Sequence, residues 1–190
     1  MKQVNIMIGR FQPITNGHMK CVDAAWSKFK IPTIIAMINT KDEKVDERHP
    51  FPSSLTLPLY EKVFAKNNRI EKIILVKNAN IVEIGETLFN EGYEIKSWAC
   101  GTDRIDSYEK MANKYHDQAH LADDFEMLEI KRSDEDISAT KARKALLDDD
   151  KKEFSALTPL MTISSRIGGD VYNKLREQLM YVMNGEGYKL

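Results

Sequence analysis

Two short stretches of this 190-residue chain carry residue types that could do chemistry together. The first reads Gly-Arg-Phe-Gln-Pro-Ile-Thr-Asn-Gly-His at residues 9–18. An apolar run leads into it and a helix-patterned run leads out, so it sits on a strand–loop–helix joint. Such joints collect anions, because the unpaired backbone N–H groups of a helix start point at the ligand. Gly9 allows close backbone approach. Arg10 offers a planar fork for phosphate, and Pro13 stiffens the turn. Thr15 and His18 stand three apart at the helix start and can face one point. No acid, base or thiol nucleophile accompanies them, so the fitting role for the imidazole is charge stabilisation of a phosphate, not covalent catalysis. Taken alone, a histidine after glycine at a helix start is more often a structural cap than a catalytic group.

The second stretch is Ile-Ser-Ala-Thr-Lys-Ala-Arg at 137–143. Ser138 and Thr140 are good helix caps. Lys141 and Arg143 then fall in a first turn, where cations oppose the helix dipole. A bound phosphate resolves that local conflict, and conflicts of this kind mark functional sites. A capped surface helix with solvated basic side chains is the plainer alternative. Two weaker candidates follow. Gly101, Asp103 and Arg104 close an apolar run; Asp103 could accept from a hydroxyl or amino group and Arg104 could bind phosphate, or the four residues from 101 to 104 form an ordinary turn. Lys41, Arg48 and His49 lie in a polar segment, 39–54, long enough to be a binding loop or lid. Trp98 could stack on an aromatic ring, although its strand position favours the core. His116 and His120 lack a third ligand, so no metal site is expected from them.

These residues need a scaffold. Apolar runs at 4–8, 33–38, 73–76 and 95–100 read as buried strands, and 125–130 alternates as an edge strand does. Helical patterns fill 19–29, 55–67, 81–91, 105–115, 141–147, 154–157 and 171–183. The alternation predicts an α/β, Rossmann-like parallel sheet of five or slightly more strands with helices on both faces and a small C-terminal helical segment. We expect an α/β domain over 1–157 and a helical extension over 158–190 packed on it. Ligands on such sheets bind beyond the carboxyl ends of the strands, where the two stretches, the 101–104 turn and the 39–54 loop would line one pocket. Apolar content is 42% and net charge is −1, so no global basic field favours nucleic acid. No apolar run approaches a membrane span. Cys21 and Cys100 lie outside any metal spacing and read as reduced thiols, which suits a cytoplasmic chain.

The stretch at 9–18 resembles the signature of the HxGH nucleotidyltransferase superfamily, and 137–143 resembles that superfamily's second signature, Ile-Ser-x-Thr-x-x-Arg. The Gly-Arg-Phe-Gln-Pro opening is similar to archaeal- and phage-type nicotinamide mononucleotide adenylyltransferases. The Pro-Ile-Thr-Asn-Gly-His remainder is similar to phosphopantetheine adenylyltransferase, and Thr15 stands where the superfamily more often has a first histidine. The resemblance implies attack of an acceptor phosphate on the α-phosphate of ATP, best matched to nicotinamide mononucleotide giving NAD and pyrophosphate. Cytidylyl transfer to a phospho-alcohol, adenylyl transfer to phosphopantetheine, and an inactive nucleotide-sensing module are the alternatives. It implies catalytic roles for His18, Thr15 and Arg10. Nucleotide and phosphate contacts fall to Gly9, Phe11, Gln12, Gly17, Ser138, Thr140, Lys141, Arg143, Gly101, Asp103 and Arg104, and weaker acceptor contacts to Lys41, Arg48, His49 and Trp98. Mg²⁺ would be held mainly by the triphosphate, with no protein metal cage. The partners implied are ATP and a phosphorylated acceptor, with no nucleic acid, no membrane and a possible homo-oligomer.

Overall fold

The computed structural model describes residues 1–131, 135–162 and 164–185. Five parallel strands form one sheet: β1 (Lys2–Gly9), β2 (Thr33–Ile38), β3 (Ile70–Val76), β4 (Tyr93–Gly101) and β5 (Leu121–Ile130), in the order β3-β2-β1-β4-β5. This is the Rossmann-like α/β arrangement that the alternating runs predict. Val4, Ile6, Ile34, Ala36, Ile95 and Trp98 fill the sheet's core. Asn5 interrupts the first apolar run yet is fully buried. Its amide explains how: it donates to Thr33 Oγ1 at 2.9 Å and accepts from Ser97 Oγ at 2.8 Å, joining the three central strands. A buried amide satisfied on both sides costs little of the desolvation penalty it would otherwise incur.

The helices are α1 (Asn16–Phe29), α2 (Ser53–Phe64), α3 (Ile81–Asn90), α4 (Thr102–Lys114), α5 (Glu135–Leu147), α6 (Lys151–Leu157) and α7 (Ser165–Met183). α3 ends where Gly92 adopts φ +92°, a conformation that favours glycine. Most elements begin earlier than their apolar runs suggest. β5 starts at Leu121 rather than 125, and α7 at Ser165 rather than 171. The most consequential shift is in α5, which starts at Glu135. Thr140 is therefore the sixth helical residue and no cap, and Lys141 and Arg143 lie beyond the first turn. Ser138 is within the helix; its side chain lies outside the described residues. Pro58 is the sixth residue of α2.

Contacts divide the chain into two compact units. One comprises Met1–Gly9, Met19–Ile38 and Asn67–Ser133, and so contains the whole sheet. The other comprises Arg10–His18, Asn39–Lys66 and Asp134–Leu190. It therefore gathers the first stretch, the polar loop and the second stretch, three segments distant in sequence. Within it, Phe154 and Tyr172 meet edge to face at 5.4 Å, and Leu175 and Leu179 of α7 are buried.

Candidate active site

α1 starts at Asn16, so Thr15 is the residue before the helix and His18 sits in the first turn. The Thr15 backbone N–H donates to His18 Nδ1 at 2.9 Å, and Thr15 Oγ1 lies 3.1 Å from the same nitrogen. This is the reach-back of a capping box, with imidazole in place of the usual Glu or Gln. It has a chemical consequence. A ring nitrogen that accepts from a backbone N–H carries no proton of its own, so the neutral imidazole bears its proton on Nε2. Phe11 meets the ring edge-on at 4.9 Å and fixes its plane. The cap uses Nδ1, so a capping reading and a chemical reading of His18 are compatible.

The rest of the loop is braced from α2, α5 and α6. Phe11 is buried at φ +52°, a left-handed conformation uncommon for a bulky residue. Tyr60 of α2 holds it there: its buried hydroxyl donates to the Phe11 carbonyl at 2.8 Å and accepts from the Ile14 N–H at 3.2 Å. Burial pushes that phenol well above its ordinary pKa, so it stays a donor. Arg143 of α5 donates to the Gln12 carbonyl at 2.6 Å. Asn16 donates to the Ala156 carbonyl of α6 at 3.0 Å. The two stretches are therefore in direct contact.

The polar loop is clamped as well. Thr40 N–H donates to Ser53 Oγ and Ser53 N–H to the Thr40 carbonyl, both at 2.8 Å, closing its base. The Gln12 side-chain amide then pairs with the Phe51 backbone in both directions, at 2.8 and 2.9 Å. On the loop, Asp46 Oδ1 accepts from the Arg48 and His49 N–H groups at 2.9 and 2.7 Å. These bonds hold the Asp46 carboxyl below its usual range, the His49 N–H foremost. Burial pushes the His49 imidazole down, and the charges of Arg10, Arg143 and Arg48 add to this against the pull of Asp46. Burial likewise lowers the Arg143 guanidinium, again opposed by Asp46. Arg10, Arg48, His49 and Arg143 thus share one electrostatic neighbourhood with Asp46, and this gathering of cations suits a polyanion.

A family model described as cytidylyltransferase-like matches residues 6–145, which include both stretches. The chain belongs to this nucleotidyltransferase family. The chain is also 34% identical over 68 residues to a phosphopantetheine adenylyltransferase of Lactobacillus johnsonii, a match covering 36% of this chain and 38% of that relative. The chain thus spans less than two-fifths of that curated relative's length. Among solved structures it resembles the Plasmodium falciparum nicotinic acid mononucleotide adenylyltransferase complexed with NaAD. The TM-score is 0.56 at 15% identity, covering 91% of this chain and 98% of that one. It also resembles a bifunctional NMN adenylyltransferase/ADP ribose pyrophosphatase from Francisella tularensis, with a TM-score of 0.56 at 16% identity over 97% of this chain and 55% of that one. At these identities the structural likeness speaks for the fold.

Not every expected residue of this cytidylyltransferase-like chain joins the cluster. Gly9, Gly101, Asp103 and Arg104 belong to the sheet unit. There Gly101 ends β4, while Asp103 and Arg104 lie 3.8 Å apart in the first turn of α4. Trp98, expected as an acceptor contact, is fully buried and stacked on Tyr108 at 4.2 Å; it is core. Gln12, expected at the nucleotide, has both amide atoms occupied by Phe51 and acts as a brace. Lys41, Arg48 and Lys141 are exposed, and Gly17 is buried in the first turn of α1. Two contributors carry no signal in the sequence. Tyr60 reads as one more apolar residue of α2. Asp46 reads as a solvated loop charge. Phe51 meets Gln12 through its main chain, while its ring is buried.

Proposed function

We propose that this chain is an adenylyltransferase that moves AMP from ATP to the phosphate of nicotinamide mononucleotide, giving NAD and pyrophosphate. The observation that carries the proposal is the Arg143 bond to the Gln12 carbonyl, which brings the two stretches into contact and supports reading them together. An acceptor phosphate oxygen bonds to the α-phosphorus while the bond to the β-phosphate oxygen breaks, and pyrophosphate leaves with that electron pair. His18 donates from Nε2 to the α-phosphate, stabilising the charge at the transferred phosphorus. Thr15 holds the ring. Arg10, Arg143, Thr140 and Lys141 bind the leaving phosphates, with Ser138 from the same helix, and Arg48 and His49 approach from the clamped loop. Gly9, Phe11 and Gly17 shape the loop around the nucleotide.

Among the described residues no group of three His, Cys, Asp or Glu side chains stands ready to hold a metal ion. The cationic cluster fits a nucleotide that brings its own Mg²⁺, which would neutralise the charge on the leaving phosphates. Among the described residues no helix is long and apolar enough to cross a membrane. A cytoplasmic enzyme acting on small molecules fits this reading.

A second reading, phosphopantetheine as acceptor, is favoured by Thr15-Asn16-Gly17-His18 and by the 34% match. Pyrophosphate release, measured with ATP or CTP against nicotinamide mononucleotide, nicotinic acid mononucleotide, phosphopantetheine and glycerol phosphate, separates the readings. Fastest turnover with ATP and nicotinamide mononucleotide is expected. A preference for phosphopantetheine moves the assignment to the second reading, a CTP preference makes the chain a cytidylyltransferase, and no release with any pair leaves a nucleotide-sensing module.

A further inference from the structure

The two edges of the sheet are built differently. β5 carries Asp123, Asp124, Glu126 and Glu129 along its length. Charges of this kind discourage strand pairing at an edge. β3, at the other edge, reads Ile-Glu-Lys-Ile-Ile-Leu-Val. Its last four residues form an apolar run with no proline, glycine or charge, a composition that pairs readily. β3 is bonded to β2 on one side. Among the described residues no loop backbone bonds to residues 71–77 on the other. Leu75 is 43% exposed, a high value for a strand leucine. A groove of about 380 Å³ lies between β3 and α3, lined by Ile74, Leu75, Val76 and Lys77 on one side and Ile84 and Thr87 on the other.

We propose that a second copy of this chain pairs antiparallel with β3 about a two-fold axis at Ile74, joining two sheets into one of ten strands. Charge decides both the partner and the register. With the axis at Ile74, Ile74 faces its own copy, Ile73 faces Leu75, Lys72 faces Val76 and Glu71 faces Lys77. The two-fold axis produces that Glu–Lys pair twice, and opposite charges directly across strands are stabilising. A slip of one residue in one direction sets Lys72 against Lys77. A slip in the other sets Glu71 against Val76. The pair is also prepared within each protomer. Glu71 is held by Lys2 Nζ at 2.6 Å and Tyr93 Oη at 3.0 Å, which keep its carboxyl ionised. Lys72 is engaged by Glu91. Lys77 is exposed and, among the described residues, forms no ion pair.

Sedimentation of the full chain at micromolar concentration should give the mass of two chains. Lys77→Glu, which places like charges at both ends of the ladder, should weaken the dimer about tenfold or more, an effect of about 1.4 kcal/mol or more. Under mild oxidation Ile74→Cys should cross-link to its own copy, since self-opposed residues lie within disulfide range. Leu75→Cys, which faces Ile73, should not. A single-chain mass overturns the proposal. So does a dimer that Lys77→Glu leaves intact, or one that Leu75→Cys cross-links and Ile74→Cys does not. Neither the mass nor the cross-link depends on the reaction the chain catalyses.

Discussion

In the proposed reaction His18 serves two tasks with one ring. Nδ1 closes the first turn of α1 by accepting from Thr15, and that bond sets the tautomer needed at Nε2. Replacing it with alanine should reduce kcat by ~10²–10³, the usual loss for one donor to a developing phosphate or oxyanion charge. The Michaelis constant for ATP should change little, because the cationic cluster is untouched. Steady-state kinetics beside isothermal titration separate these terms. Equal losses in binding and turnover would assign His18 to the cap alone. His49 supplies a second residue-scale expectation. It is held below its ordinary value of 6.5, so it takes up a proton less readily in the folded chain than in the unfolded one. The unfolded chain then binds more protons, and stability falls as pH drops below about 6.5; above that value the contribution is fully present. A bound polyphosphate reverses the sign, since it favours the imidazolium. Affinity for pyrophosphate should therefore rise as pH falls through the same range. His49→Gln should flatten the binding profile measured by titration, and a profile the variant leaves unchanged would remove His49 from the site.

At the level of elements, the sheet was legible because parallel strands buried on both faces are nearly continuous apolar runs, as in Thr33–Ile38, whose limits match the expectation. The start of α5 was not. Ser138 and Thr140 are strong cap types and drew the boundary to themselves, whereas Glu135 and Asp136 are residue types equally at home in a first turn. The loop clamp was invisible for a different reason. Gln12 meets the main chain of Phe51, and no side-chain pattern records a main-chain partner. That clamp makes a strong stability prediction. Gln12→Ala leaves the buried Phe51 N–H and carbonyl without partners, which should cost about 1–3 kcal/mol. Urea unfolding should show it as a lower midpoint at unchanged slope. A neutral result would mean that water replaces the amide and that the loop is held mainly by Thr40 and Ser53.

For the whole molecule, the division into two units explains why the site residues were easier to recognise than to place. The sheet unit is read from local periodicity. The other unit is assembled from Arg10–His18, Asn39–Lys66 and Asp134–Leu190, and its defining bonds span large sequence separations, such as Arg143 to Gln12 and Gln178 to Pro50 at 3.0 Å. Only the two signature patterns hinted that the first and last of these segments belong together. The hint came from paired motifs, since nothing in residues 19–133 points from one to the other. This assembly should be observable when an anion binds. If pyrophosphate occupies the neighbourhood shared by Arg10, His49 and Arg143, it must slow amide exchange in all three segments at once, because each supplies one of those charges. Hydrogen exchange with and without pyrophosphate should therefore protect residues 10–18, the 40–53 loop and the second half of α5 by similar factors. Arg143→Ala should abolish the effect in all three together, since it removes both a phosphate-binding charge and the bond to Gln12. Protection limited to residues 10–18, or unaltered by Arg143→Ala, would reduce the site to the first stretch alone and leave α5 as a support for it.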